Sequence, residues 1–313
     1  MLRIDGTAVA WLKWRTGHSQ TPRRIAGPAP SKFCFVAATQ QEAIETMDAA
    51  ITPLELAQRL AAFPPPTLID VRRQTAFEQD PEIIPGAIRR LPEDVANWAG
   101  AIEPWRQVVV YCVRGHEVSQ RAAAALFERG FDARCLVGGL EAWRAEGNAT
   151  NPFAAPTRWV TRARPKIDRI ACPWLIRRFI DRSAEFFYVP NAEVRDFAAT
   201  KGATAYDIPD VPYSHVGSEC SFDAFVRIHE LDHPALRALA RIVRAADTSA
   251  LQLAPQAPGL LAASLGLSAM FADDHDMLKW GMIVYDSLYA WCREAQTETH
   301  GWYPETLRIR EDA

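Results

Sequence analysis

Val108-Val109-Val110-Tyr111-Cys112-Val113-Arg114-Gly115-His116-Glu117-Val118 decides how this chain folds. Its β-branched and aromatic start predicts a strand, and the polar, glycine-bearing loop leads into a helix beginning near Ser119-Gln120-Arg121 and running to Arg129. Upstream, Thr67-Leu68-Ile69-Asp70-Val71 reads as a short buried strand. Downstream, Arg134-Cys135-Leu136-Val137 reads as a third, followed by Gly138-Gly139 and a helix holding Trp143. Before all of these, Thr52-Pro53-Leu54-Glu55 opens a helix with an N-cap Thr, Pro at the first helical position and an acid in the first turn. Leu54, Leu56 and Leu60 form that helix's stripe, and Pro64-Pro65-Pro66 ends it. Strands alternating with helices predict an α/β fold, a parallel sheet flanked by helices.

In such a sheet ligands collect at the carboxyl ends of the strands, where the next helix directs its N–H groups and positive dipole. Cys112 occupies that place. Oriented amides favour its thiolate, the nucleophilic form, and Gly115 lets the loop curl so that several amides converge.

Four segments, Ile69-Asp70-Val71-Arg72, Ile84-Pro85-Gly86-Ala87-Ile88, Tyr111-Cys112-Val113-Arg114-Gly115 and Gly138-Gly139-Leu140-Glu141-Ala142-Trp143, together resemble a single-domain rhodanese over about residues 51–147. The resemblance implies a sulfurtransferase that needs no cofactor. Cys112 would take the outer sulfur of thiosulfate or a similar donor as a persulfide and pass it to a thiophilic acceptor. Arg114 and Gly115 would belong to the catalytic loop, with Asp70 and Arg72 supporting it. His116, Glu117 and Ser119, candidate substrate-binding residues, follow where many rhodaneses start their helix at once, which predicts a loop longer by about one residue. Phosphatases of this fold need Arg six positions after the Cys; that position is Val118, so phosphatase activity is excluded.

Gly147-Asn148-Ala149-Thr150-Asn151-Pro152-Phe153-Ala154-Ala155-Pro156 holds turn formers and no charge. The expected organisation is a mobile arm at 1–46, the rhodanese-like domain at 47–147, a linker at 148–156 and a second domain at 157–313. In the second domain, strands are expected around Arg158-Trp159-Val160 and Phe186-Phe187-Tyr188-Val189, and helices at 170–180, 222–231, 234–246, 259–267 and 275–295. It therefore reads as mainly helical α+β, with Met277, Gly281, Val284, Leu288 and Trp291 as a core stripe of the last helix.

Residues 158–182 hold eight basic side chains against two acidic ones, in a chain of net charge −3. Arginine forks match tetrahedral oxyanions, so Arg169, Arg177 and Arg178 around Cys172 are candidate anion ligands, with Cys172 as an activated thiol. A second constellation, His215, Glu219, Asp274 and His275, offers a mixed N/O set for a divalent metal; capping or core hydrogen bonding is the competing role. His229 and His233, four apart beside Pro234, read as a helix end.

Lys166-Ile167-Asp168-Arg169-Ile170-Ala171-Cys172-Pro173-Trp174-Leu175, Glu219-Cys220-Ser221-Phe222-Asp223 and Asp273-Asp274-His275 resemble the C-terminal domain of chromate-resistance ChrB proteins over about residues 157–295. The resemblance implies chromate or a similar oxyanion as ligand and a functional link to a chromate efflux transporter. Regulatory members carry a DNA-binding region that has no counterpart here, so direct DNA binding is not expected. A sensor in which the rhodanese fold only binds a partner is the alternative to an enzyme.

Composition bounds these readings. The near-neutral balance gives no general attraction for nucleic acid, and no apolar run approaches the roughly 18 residues a membrane span needs. Six scattered cysteines argue against a disulfide framework and for the cytoplasm.

Overall fold

The computed structural model describes residues 49–298; the arm expected at 1–46 lies outside them. The first part contains β1 (Ala50–Ile51), α1 (Pro53–Ala61), β2 (Thr67–Asp70), α2 (Gln74–Gln79), β3 (Glu82–Ile83), β4 (Ile88–Arg89), α3 (Val95–Trp98), β5 (Val108–Tyr111), α4 (Glu117–Phe127), β6 (Ala133–Leu136) and α5 (Gly139–Ala145). Five strands form a parallel sheet in the order β1-β6-β5-β2-β4, which puts β5 at the centre. Alternation along β5 builds a core on each face. Val108 and Val110 pack with Ile69, Ala122 and Leu126, while Val109 and Tyr111 pack with Leu68, Leu136, Leu140 and Trp143. Thr52 and Glu55 form the capping box of α1, each satisfying the other's backbone N–H at 3.2 and 2.9 Å.

The expected linker is tied down. Within it β7 (Asn151–Pro152) pairs antiparallel with β3, Trp143 Nε1 donates to Ala149 O at 2.8 Å, and Phe153 meets Phe77 edge-on with centroids 5.2 Å apart.

The second part contains β8 (Arg158–Arg162), α6 (Asp168–Leu175), β9 (Glu185–Val189), α7 (Val194–Lys201), β10 (Thr204–Ala205), α8 (Ser221–Ile228), α9 (Pro234–Asp247), α10 (Ala257–Met270) and α11 (Asp274–Ala290). β10-β8-β9 make a small parallel sheet. Trp174, Phe222, Phe225, Leu239 and Tyr285 centre the helical core. The buried face of α11 is Met277, Leu278, Gly281, Met282, Tyr285 and Tyr289, rotated from the expected stripe, and Gly281 is required because a Cβ there would lie 2.6 Å from Ile170 Cγ2. Pro173 removes the donor for the Arg169 carbonyl, which Tyr206 Oη reaches at 3.4 Å; the helix then continues as a π-turn over Ile176–Ile180. His233 caps α9, its Nδ1 accepting from Ala235 N at 3.2 Å.

α11 also packs on the first part, through Phe63 against Tyr289 (4.9 Å) and Trp105 against Trp280 (5.7 Å). No described helix is long and apolar enough to cross a membrane. The five described cysteines are buried and unpaired.

Candidate functional site

Cys112 sits one residue beyond the central strand, 6% exposed, with its Sγ 3.2 Å from Ser119 Oγ. The same hydroxyl lies 3.2 Å from His116 O, so a single rotor serves both thiol and loop. α4 begins at Glu117, two residues before the expected start near Ser119, with His116 as N-cap. Among the described residues, the N–H groups of Val113, Arg114, Gly115 and His116 donate to no protein acceptor. These unspent donors follow the thiol and open α4, the arrangement that holds anions and thiolates.

Two left-handed glycines fold the loop onto the next turn. A Cβ on Gly115 (φ +69°) would fall 2.4 Å from Leu136 O, and one on Gly139 (φ +58°) 2.4 Å from Cys112 O. Leu140 N and Glu141 N donate to Cys112 O and Val113 O, both at 3.0 Å. Gly139→Ala is therefore expected to cost more than about 1 kcal/mol and to displace the Cys112 carbonyl; chemical denaturation and a sulfur-transfer assay on the same sample check it.

The other expected residues of this loop divide. Arg114 is 68% exposed and its Nε lies 3.2 Å from Glu141, a screened pair that an arriving anion can displace. Glu117 is exposed and pairs with Arg121 at 3.3 Å, and His116 is exposed. Asp70 and Arg72 are buried against each other, Nη2 to Oδ2 at 2.6 Å, with Arg72 donating also to Asp80 O and Glu82 O. Placed that way they cannot touch a substrate; the support expected of them in the catalytic loop is corrected to a structural tie between the end of β2 and the start of β3.

The basic stretch of the second part is not an open patch, because carboxylates from distant segments meet most of it. Arg158 pairs with Glu185, Arg162 and Arg169 with Asp207, and Arg164 with Asp274. Arg178 is held in the core by Asp286 (Nε–Oδ1 2.8 Å) and by Glu103 of the first part (Nη2–Oε2 2.6 Å), which raises its guanidinium affinity for a proton. Glu103 also binds Arg106, and Asp286 accepts Trp174 Nε1 at 2.8 Å. Arg169 and Arg178 are thus corrected from anion ligands to structural counter-ions. Cys172 is wholly buried, and desolvation, with the charge of Asp168, pushes its thiol well up, so the activated-thiol expectation fails.

Arg177 differs. Its guanidinium stacks on Phe186 (4.9 Å) and has no carboxylate within 4.0 Å among the described residues. It lines a cavity of about 400 Å³ between the two parts, together with Arg90, Arg182 and the paired Arg178. Arg182 Nη1 is buried without a partner, and burial lowers the proton affinity of Arg90, Arg177 and Arg182. Sequence reasoning missed Arg90, which lies far from the basic stretch, two residues past the Ile84–Ile88 motif.

Residues 52–146 match the rhodanese-like domain family, and residues 159–292 match the family described as ChrB, C-terminal domain. The chain joins a rhodanese-like domain to a ChrB C-terminal domain. It is similar to protein ChrB of Cupriavidus metallidurans, 32% identical over 133 residues, 42% of this chain and 40% of that protein. This chain therefore spans well under half the length of that curated relative. Similar solved structures include the full-length protein from Lactobacillus plantarum, 25% identical, covering 38% of this chain and 100% of that one at TM-score 0.35. A rhodanese-related protein from Thermoplasma volcanium is 24% identical, covering 33% of this chain and 96% of that one at TM-score 0.29.

The expected metal set of the ChrB C-terminal domain is not brought together. Glu219 pairs with Arg227 (2.6 Å), Asp274 lies beside Arg164 (3.7 Å), and His275 packs on Tyr188 with centroids 5.6 Å apart. His215 instead faces Asp168, Asp207 and Asp247 from three other segments, at 3.4, 3.4 and 3.2 Å from its Nε2. The i to i+4 spacing that suggested Glu219 fails because Val216 and Glu219 close a tight turn rather than a helix.

Proposed function

We propose that the protein is a cytoplasmic rhodanese-type sulfurtransferase whose ChrB C-terminal domain takes up chromate or a similar oxyanion. The observation that carries the reading is a thiol at the end of the central strand, followed by four unspent backbone donors. The Cys112 thiolate attacks the outer sulfur of thiosulfate or a similar donor. A Cys–sulfur bond forms, the donor's S–S bond breaks, and sulfite departs with the bonding pair. A thiol or another thiophile then takes the terminal sulfur from the persulfide, returning the thiolate. Free loop amides stabilise the anionic persulfide between the two steps. The cycle needs no cofactor.

Steady-state transfer from thiosulfate to cyanide by the full chain tests this, with parallel double-reciprocal lines expected for a two-step exchange. Absence of turnover with thiosulfate and with other sulfane donors would leave the alternative, a chromate-responsive sensor whose rhodanese-like domain only binds a partner. Both versions keep the link to an efflux transporter, and neither requires DNA contact.

For the oxyanion, the cavity between the domains supports a relocated site. Arg90, Arg177 and Arg182 are half-buried guanidinium groups with no carboxylate within 4.0 Å among the described residues, and Arg182 Nη1 is buried without a partner, an arrangement that a bound anion relieves. Arg177→Ala is expected to weaken chromate binding by about tenfold or more in calorimetric titration, the loss of one charge-assisted contact. An unchanged affinity removes the cavity from consideration.

A further inference from the structure

Three segments of the ChrB C-terminal domain converge on the imidazole of a fourth. Asp168 opens α6, Asp207 follows β10, His215 lies in the loop before α8, and Asp247 closes α9. The possible ligand atoms of Asp168, His215 and Asp247 all lie within 4.8 Å of one another. His215 Nε2 carries at most one proton, yet three carboxylate oxygens stand 3.2 to 3.4 Å from it. One N–H cannot satisfy three acceptors.

Asp207 has other partners. Arg162 and Arg169 hold its Oδ2, and Ser221 Oγ donates to its Oδ1 at 3.0 Å. Asp168 does not. Its carboxylate is 2% exposed, and no hydrogen bond reaches its Oδ2, which faces the cluster. A buried carboxylate oxygen without a donor, next to further carboxylates, is a strongly unfavourable arrangement that a cation reverses.

The spacing has the dimensions of a coordination sphere. Donor atoms about 2.0–2.1 Å from a tetrahedral ion stand about 3.3–3.4 Å apart, close to the separations around His215. Two carboxylates and one imidazole, with no thiolate among them, suit a divalent first-row transition ion; Ca²⁺ would ask for six or more oxygens. His215 is 41% exposed on its side chain, leaving the site open to water or a ligand on that side.

We propose that Asp168, His215 and Asp247 bind a divalent first-row transition-metal ion, with Asp207 and its two arginines fixing the edge of the site. This goes beyond sulfur transfer, since no residue of the Cys112 loop takes part.

The full chain, stripped with a chelator, is titrated with Co²⁺ and followed by visible absorption and thermal melting. Expected are one ion per chain, weak ligand-field bands without thiolate charge transfer, and a melting temperature that rises with Co²⁺. Asp168→Asn is expected to melt at the same or a higher temperature when metal-free, because it removes repulsion, and to lose the Co²⁺-dependent rise. His215→Gln, at a half-exposed position, is expected to weaken Co²⁺ binding at least tenfold and serves if Asp168→Asn fails to fold. Three results each overturn the proposal. They are no binding by the parent protein, binding retained in His215→Gln, and charge-transfer bands that place the ion on Cys172 or Cys220.

Discussion

Cys112→Ser is expected to lower sulfur transfer by about 10³-fold or more, to the rate of the uncatalysed exchange, because the nucleophile that carries the sulfur is gone. Serine fills nearly the same space at the end of β5 and can keep the contact with Ser119 Oγ, so the fold should survive. Loss of turnover at unchanged melting temperature then isolates chemistry from stability. The effect falls on kcat and kcat/KM together, since the persulfide is an intermediate of every turnover. Residual turnover within tenfold of the parent would mean that another group carries the sulfur.

Arg178→Ala should be the most damaging single change to stability. It strands Glu103 in the rhodanese-like domain and Asp286 in the ChrB C-terminal domain, both buried, with Arg106 and Trp174 as their remaining partners. Breaking a buried pair by deleting one partner costs about 3–5 kcal/mol. In a chain of this size that corresponds to a melting temperature lower by roughly 10 °C. Replacing Glu103 and Asp286 by Gln and Asn in the same variant should recover part of the loss, because the uncompensated charges go with them. A cost of about 1 kcal/mol or less, measured by denaturant titration, would place the triad in a solvent-screened setting.

What could be read along the chain was local. Alternation at Val108–Tyr111 places one residue set on each face of the sheet, and Cys112 follows by one position. Gly138-Gly139 marks a turn whose glycines are required by different neighbours, Ala142 Cβ 2.4 Å from a Cβ on Gly138 and two carbonyls and an amide 2.4 to 2.7 Å from one on Gly139, a need that composition cannot express. β10 was missed because two residues, Thr204 and Ala205, carry no period.

Charge was the least legible feature. Eight basic residues in one stretch looked like an anion site, but the carboxylates that neutralise Arg178 stand 75 and 108 positions away. Arg177, its immediate neighbour, lines the same cavity with no carboxylate on it, separated only by which way the helix turns. His215 meets carboxylates, but not the one that helical spacing assigns to it. Its actual neighbours come from the ends of α6 and α9 and from the segment after β10. Pairing across the fold is set by how the segments pack, which nearby sequence does not record.

Whether Cys112 carries sulfur is decided by intact-protein mass spectrometry after incubation with thiosulfate. One added sulfur per chain is expected, located on Cys112 by peptide mapping, removed by cyanide and absent in Cys112→Ala. A parent protein whose mass is unchanged with thiosulfate and with other sulfane donors would contradict it.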